Sequence, residues 1–250
     1  MREKVEGDIL FFCAFRAKKQ NVPNLTTGHD HVMPRTARAS IGGICYHVIN
    51  RGNARSTVYH NSSDYQAFIQ LMLRACDRIP MRILSYCLMP NHFHLVLWPF
   101  GDGDMSRWMQ WLLTSHVRRY HRLRGTSGRI WQGRFKAFPI QQDSHLLTVI
   151  RYVERNPVRA NLVSSAADWN WSSISTSPTQ PRTVTTPAPV LKPKDWLKFV
   201  DTPQTPAELD TLRRCAQRNA PFGGTAWVAE TAKSLGLEAS VRNLGRPPKE

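Results

Sequence analysis

His92 and His94, separated by Phe93, sit in the run Leu88-Met89-Pro90-Asn91-His92-Phe93-His94-Leu95-Val96-Leu97. In an extended strand successive side chains point to opposite faces. Both imidazoles therefore share a face with Val96, while Phe93, Leu95 and Leu97 share the other. Two ring nitrogens side by side can hold one divalent cation, provided that a further ligand and open positions for substrate come from elsewhere in the fold. Imidazole ligation by itself suits zinc or manganese. The plainer reading of the same pair is two polar residues on the open face of a half-buried strand.

The elements that must position this pair are legible as periodicity. Ile44 to Arg51 alternates and ends on the turn signal Arg51-Gly52-Asn53, which predicts a first strand. A helix is expected over 64–78, with Phe68, Leu71, Met72 and Ala75 at helical spacing, Ser63 as cap and Pro80 as stop. A second strand over 81–88 turns at Pro90-Asn91 into the histidine strand. Ser106 can cap a helix reaching about Arg124, with Trp108, Trp111 and Leu112 on its apolar face, and a fourth strand is expected around 137–140. Strand, helix, strand, strand, helix, strand is the order of an α+β, ferredoxin-like split βαβ sheet with helices on one face. A helix over 145–155 should stop at Asn156-Pro157. Residues 174–194, rich in Ser, Thr and Pro, read as an extended linker. Beyond it Thr205-Pro206-Ala207-Glu208 is a capping box, followed by a second short helix over 226–235. These two helices form either a small DNA-binding module or a hairpin that packs back on the main domain. The tail Gly245-Arg246-Pro247-Pro248-Lys249 is similar to half of an AT-hook.

The 250 residues carry 34 Lys+Arg against 18 Asp+Glu, a formal charge of +16, so a polyanion is the expected partner. Candidate DNA contacts are Arg51, Asn53, Arg55, Arg118, Arg119, Arg134 and Lys136. Trp131 and Phe135 are either stacking platforms for unpaired bases or core residues. The five cysteines are odd in number and lack a C-x-x-C pair, which argues against a disulfide frame or zinc knuckle and for a cytoplasmic protein. The apolar run from Ile9 to Phe15 is too short to span a bilayer, and no membrane partner is expected. Residues 1–32 show no sustained periodicity; they are either an extension or precede a true start at Met33.

Several separated motifs occur in order: Met33-Pro34-Arg35, Gly43-Ile44-Cys45-Tyr46-His47-Val48-Ile49-Asn50-Arg51-Gly52-Asn53, the Met89-Pro90-Asn91-His92-Phe93-His94 run, Trp131-Gln132-Gly133-Arg134-Phe135 and Arg151-Tyr152-Val153-Glu154-Arg155-Asn156-Pro157-Val158-Arg159-Ala160. Together they resemble the REP-associated tyrosine transposases, a branch of the single-tyrosine HUH transposases, over about residues 33–173. The resemblance implies a single-stranded DNA hairpin endonuclease and strand transferase. It would use Mg²⁺ or Mn²⁺, form a 5′-phosphotyrosine link and act as a homodimer in some branches. Counted back from Gly128-Arg129-Ile130-Trp131, the position expected for the family's tyrosine holds His116, and Tyr120 lies four residues later on the same helix face. Tyr120 is the expected nucleophile, on a helix expected to cross near the histidine face. His116 is then a base or third metal ligand, and His121, about 100° away, a further ligand. The alternative is a DNA- or RNA-hairpin binder that has lost its nucleophile. Glu154 is expected to hold a neighbouring arginine.

Overall fold

The computed structural model describes residues 40–177 and 184–242, all within one compact unit, Arg38–Glu250. The expected domain start at Met33, residues 178–183 of the expected linker and the AT-hook-like tail lie outside the described residues. Strand β1 (Cys45–Arg51), helix α1 (Ser62–Arg78), the hairpin β2 (Met81–Met89) and β3 (His92–Pro99), helix α2 (Asp104–Arg124) and strand β4 (Lys136–Ile140) follow in the expected order. They form a four-stranded sheet of order β2-β3-β1-β4, antiparallel throughout. Among the described residues no helix is long and apolar enough to cross a membrane.

Helix starts differ slightly from expectation, for local reasons. Asn61 rather than Ser63 caps α1: its side chain accepts the Asp64 N–H, and the Ser63 hydroxyl donates to the same oxygen at 2.7 Å. Helix α2 begins at Asp104 because Gly103 takes a left-handed conformation (φ 77°) that turns the chain into it. Gly125 (φ 60°) ends it in the same way.

Alternation along the strands sorts the sheet into two unlike faces. On one, Tyr46, Val48, Leu88, Phe93, Leu95 and Leu97 pack with Phe68, Met72, Trp108 and Leu112 of the crossover helices α1 and α2. On the other, Cys45, Cys87, Met89, Val96 and Phe138 meet Leu146, Val149, Ile150 and Val153 of α3 (Ser144–Glu154). The crossover helices share one face as the split βαβ order requires, but the second face is covered too. After the short α4 (Asn156–Arg159) and α5 (Trp196–Asp201), helix α6 (Pro206–Arg218) adds Leu212 and Cys215 to that second core. Helices α7 (Thr225–Ser234) and α8 (Glu238–Val241) complete the chain's elements.

The described part of the Pro-rich stretch is docked rather than a free spacer. Val184 is buried in the first core, and Ala188 and Val190 pack against the second. Thr186 N–H donates to Ile83 O at 2.8 Å, satisfying a carbonyl of β2, which is an edge strand. Composition misses this because a few apolar contacts and one backbone hydrogen bond suffice to hold irregular chain on an existing surface.

Helical periodicity also makes sense of Arg151 to Arg159. Val149, Tyr152, Val153 and Asn156 face the sheet, while Arg151, Glu154 and Arg155 face the C-terminal segment. Pro157 has no N–H for the carbonyl of Val153, four residues back, and Asn156 Nδ2 supplies donors to Val153 O (3.2 Å) and Tyr152 O (2.9 Å). Glu154 does not hold an arginine. Its buried carboxylate accepts from Ser85 Oγ (3.2 Å), Ser173 Oγ (2.9 Å) and Trp196 Nε1 (2.7 Å), and Lys192 Nζ lies 3.6 Å away. One side chain thus ties β2, α3 and α5 together. Glu154→Ala should lower unfolding stability by about 3 kcal/mol, since one buried and two partly buried donors lose their acceptor. Urea unfolding would show a lower midpoint at unchanged slope; a change under about 1 kcal/mol would count against this network.

Candidate active site on the histidine face

Antiparallel pairing of β1 and β3 sets Arg51 opposite His92 and Ile49 opposite His94, and brings His47, paired with Val96, onto the same face. His47 Nε2 and His94 Nδ1 are 2.8 Å apart, and the His92 and His94 ring centroids are 5.0 Å apart. Burial disfavours the charged form of all three rings. It holds His92 down at about 4 and His47 at about 3, with Arg51 and Arg159 adding to the effect on His92. His94, with His92, His47 and both arginines around it, is driven well below the ordinary histidine range, first by its burial. At neutral pH the three imidazoles are uncharged and each keeps a lone pair for a ligand or a hydrogen bond.

The hydrogen bonds decide which nitrogen is left. Asn91 Nδ2 donates to Arg55 O at 2.9 Å, which turns Asn91 Oδ1 toward His92 Nδ1, 2.7 Å away. A neutral His92 must then carry its proton on Nδ1 and leave Nε2 as an acceptor. For His94 to offer Nε2 likewise, its Nδ1–H must donate to His47 Nε2, which places the His47 proton on Nδ1, a buried atom without a hydrogen-bond partner among the described residues. Asn91 is itself held by the close approach of Gly52, whose N–H donates to Asn91 O at 2.7 Å. A Cβ on Gly52 would lie 2.3 Å from Ser56 O, so no other residue fits there without moving the turn.

Helix α3 brings a phenol to this face. The Tyr152 ring centroid lies 5.7 Å from that of His94 and 6.1 Å from that of His47, and the ring is nearly buried. The Arg159 guanidinium stacks 4.3 Å over the Tyr152 ring and also donates to Asn156 Oδ1. Beside Tyr152 opens a cleft of about 480 Å³ lined by Arg51, Arg134, Lys136 and, from α6, Arg213. Three of the expected DNA-contact residues therefore share a cleft with this tyrosine. Asn53 and Arg55 stand exposed on the turn that follows β1, next to Asn91.

The remaining expected site residues lie elsewhere. Helix α2 packs on the Phe93 face, so Tyr120, His116 and His121 are across the sheet from His92 and His94. Tyr120 Oη meets His60 Nε2 at 3.1 Å, and His121 is bonded to Thr126 Oγ1 and Gly128 O, both at 3.0 Å. His116 is buried among Tyr59, Phe68 and Trp131. Trp131 and Phe135 are 6% and 5% exposed and belong to the same core, which leaves neither as a stacking platform. Arg118 and Arg119 line a groove between α1 and α2. Sequence reasoning missed Tyr152, His47, Asn91 and Arg159. The available signal for Tyr152 was its place in the apolar stripe of α3 between Val149 and Asn156.

The donor set fits a divalent cation in its chemistry: two neutral imidazoles on one face, His92 with Nε2 free and His94 with Nε2 free in the tautomer whose Nδ1–H donates to His47. Among the described residues no group of three or more His, Cys, Asp or Glu is arranged to hold an ion, so further positions would be left to other oxygen ligands.

Residues 40–156 match the family described as transposase, IS200 like. That stretch holds the sheet, both crossover helices and α3. The chain is similar to a Haemophilus influenzae protein named as a REP-associated tyrosine transposase, at 27% identity over 111 residues. The alignment covers 40% of this chain and 63% of the relative, a little under two thirds of the relative's length. Similar solved structures include a REP-associated tyrosine transposase bound to a REP hairpin, at 25% identity and a TM-score of 0.47, covering 56% of this chain and 82% of that one. A transposase from Deinococcus radiodurans R1 aligns at 13% identity and a TM-score of 0.35, covering 51% of this chain and 92% of that one.

Burial of His116 has a testable consequence. Its pKa is lowered to about 4 by burial, from an ordinary value near 6.5, so between those pH values the unfolded chain binds the proton and the folded chain does not. This side chain therefore destabilises the fold as pH falls through that window, by about 3 kcal/mol in total, and the loss levels off below it. His116→Leu should remove that share of the acid sensitivity in urea unfolding at stepped pH. An unchanged pH dependence would show that folding does not shift the His116 pKa and would contradict this account.

Proposed function

We propose that this chain cleaves and rejoins single-stranded DNA next to a hairpin, with Tyr152 rather than Tyr120 as nucleophile. The observation that carries the reading is the meeting of Tyr152, which lines a basic cleft, with His94 on the face that also carries His92. Its substrate class is supported by the match of residues 40–156 to the IS200-like transposase family and by the similarity to a REP-associated tyrosine transposase.

In this reading Tyr152 Oη attacks the scissile phosphorus. An Oη–P bond forms, the P–O3′ bond breaks, the phenolic proton is lost and the departing 3′-oxygen is protonated. The product is a 5′-phosphotyrosine and a free 3′-hydroxyl. Attack by a 3′-hydroxyl reverses the sequence, and because one phosphodiester-like bond replaces another, rejoining needs no nucleotide hydrolysis. Arg159, stacked on the ring, holds the phenol in place at the cleft. Arg51, Arg134 and Lys136 bind the phosphates on either side, and neutral histidines add no positive charge of their own. His92 and His94 would hold Mg²⁺ or Mn²⁺ through Nε2, where the ion's charge would offset that of the scissile phosphate. Asn91 and His47 act through these two ligands by fixing their tautomers.

Two measurements test this. Incubated with labelled hairpin oligonucleotides bearing single-stranded flanks and Mn²⁺, the wild type and Tyr120→Phe should give a covalent protein–DNA band on denaturing gels, and Tyr152→Phe should give none. A band that persists in Tyr152→Phe would refute the assignment, whereas hairpin binding without any band would favour the non-catalytic hairpin binder. Independently of turnover, Asn91→Ala should weaken Mn²⁺ binding roughly 10- to 100-fold in a calorimetric titration, as loss of an outer-shell partner does elsewhere. Unchanged affinity would mean that His92 does not bind the ion in the tautomer that Asn91 sets.

A further inference from the structure

Helices α1 and α2 run antiparallel. Asp64 near the start of α1 meets Arg124 at the end of α2 at 2.6 Å, and Arg78 at the end of α1 stacks 5.1 Å over the Trp111 ring near the start of α2. Between their solvent faces lies a groove of about 930 Å³ into which Arg74 and Arg78 converge from one helix and Arg118, Arg119 and Arg122 from the other. Among the described residues Asp77 is the only acidic one on its lining. Among the described residues none of the five arginines has a carboxylate within ion-pair distance.

Five guanidinium groups converging around a single carboxylate carry a net positive charge and repel one another, and the fold gains nothing from the arrangement by itself. A solvated helix face does not require them to converge on one concavity from two helices. Guanidinium forks match phosphate oxygens, and the partner that fits a row of them is a polyphosphate backbone. Two features favour a duplex over a single strand. The rows stand on two helices whose axes pack about 8–10 Å apart, within reach of the phosphates on both sides of a minor groove about 6 Å wide. Trp111, an aromatic ring lining the groove, already has Arg78 over it, so an unpaired base finds no stacking platform there. From Ala67 to Arg78 the groove runs about 16 Å, roughly five base-pair steps.

We propose that this arginine groove is a binding site for the backbone of duplex DNA, distinct from the cleft beside Tyr152 on the opposite side of the sheet. It takes from the proposed function only that DNA is the partner, and it assigns Arg118 and Arg119 to the paired part of a substrate rather than to the strand that is cut. Recognition here is of shape and charge, without base readout.

The test compares wild type with the triple variant Arg74→Gln/Arg118→Gln/Arg122→Gln, three exposed positions outside both cores, by fluorescence anisotropy over a range of salt concentrations. The probes are a short blunt duplex and an unstructured oligo-dT. For the duplex, the variant should lose at least tenfold in affinity, and its slope of log affinity against log salt should flatten by about 2.7, or 0.9 for each phosphate contact removed. Oligo-dT affinity should stay within about twofold, because the cleft beside Tyr152 is intact. Equal duplex affinity and slope in the two proteins would overturn the proposal. So would a parallel loss for oligo-dT, which would make the groove part of a single track. If the wild type binds duplex through the groove but never forms a tyrosyl–DNA link, the groove stands and the proposed function fails; binding of neither probe overturns both.

Discussion

The pairing of β1 with β3 is the constraint on which the rest depends. It puts His47 beside His94, stands His92 at the end of the strand next to the Asn91 turn, and turns every second side chain of the sheet toward α1 and α2. A slip of one residue would send both histidines into the Phe68 core and bring Phe93 to the cleft. Register is locked from both sides, since each face is buried against its own helices and neither tolerates the other's residues.

The same sorting explains why the proposed site lies on the α3 face. The face under α1 and α2 is large, aromatic and closed, and polar groups that enter it, such as His116, are kept neutral. The face under α3 opens at one end into a basic cleft, so a phenol, three imidazoles and an arginine meet there without being wholly sealed from solvent. Asn156-Pro157 closes α3 just after Tyr152, and the Asn156 side chain both replaces the missing proline donor and engages Arg159. The backbone break and the arrangement around Tyr152 are therefore one piece of structure.

Much of the fold was legible in the sequence because the strands and crossover helices carry strong periods of two and between three and four. The order of the six core elements followed from those periods, and the histidine pair followed from the period of two alone. What periodicity cannot give is which face of a sheet a helix covers. Tyr120 and Tyr152 both lie on amphipathic helices, and only the crossover geometry shows that α2 packs against Phe93 whereas α3 packs against Val96. His47 was hidden for a related reason: it sits in a different strand, and its proximity to His94 is a fact of register. The docked segment from Val184 to Val190 was missed because its composition resembles that of a free linker, and its few anchoring contacts leave no pattern.

The central claim, that catalysis belongs to the α3 face, is tested most directly by locating the DNA on the protein. Tryptic digestion of the covalent complex followed by mass spectrometry should find the residual nucleotide on the peptide that begins at Tyr152 and ends at Arg155. Recovery of the nucleotide on the peptide from Tyr120 to Arg122 would contradict the account, because it would place the chemistry on the face opposite His92 and His94.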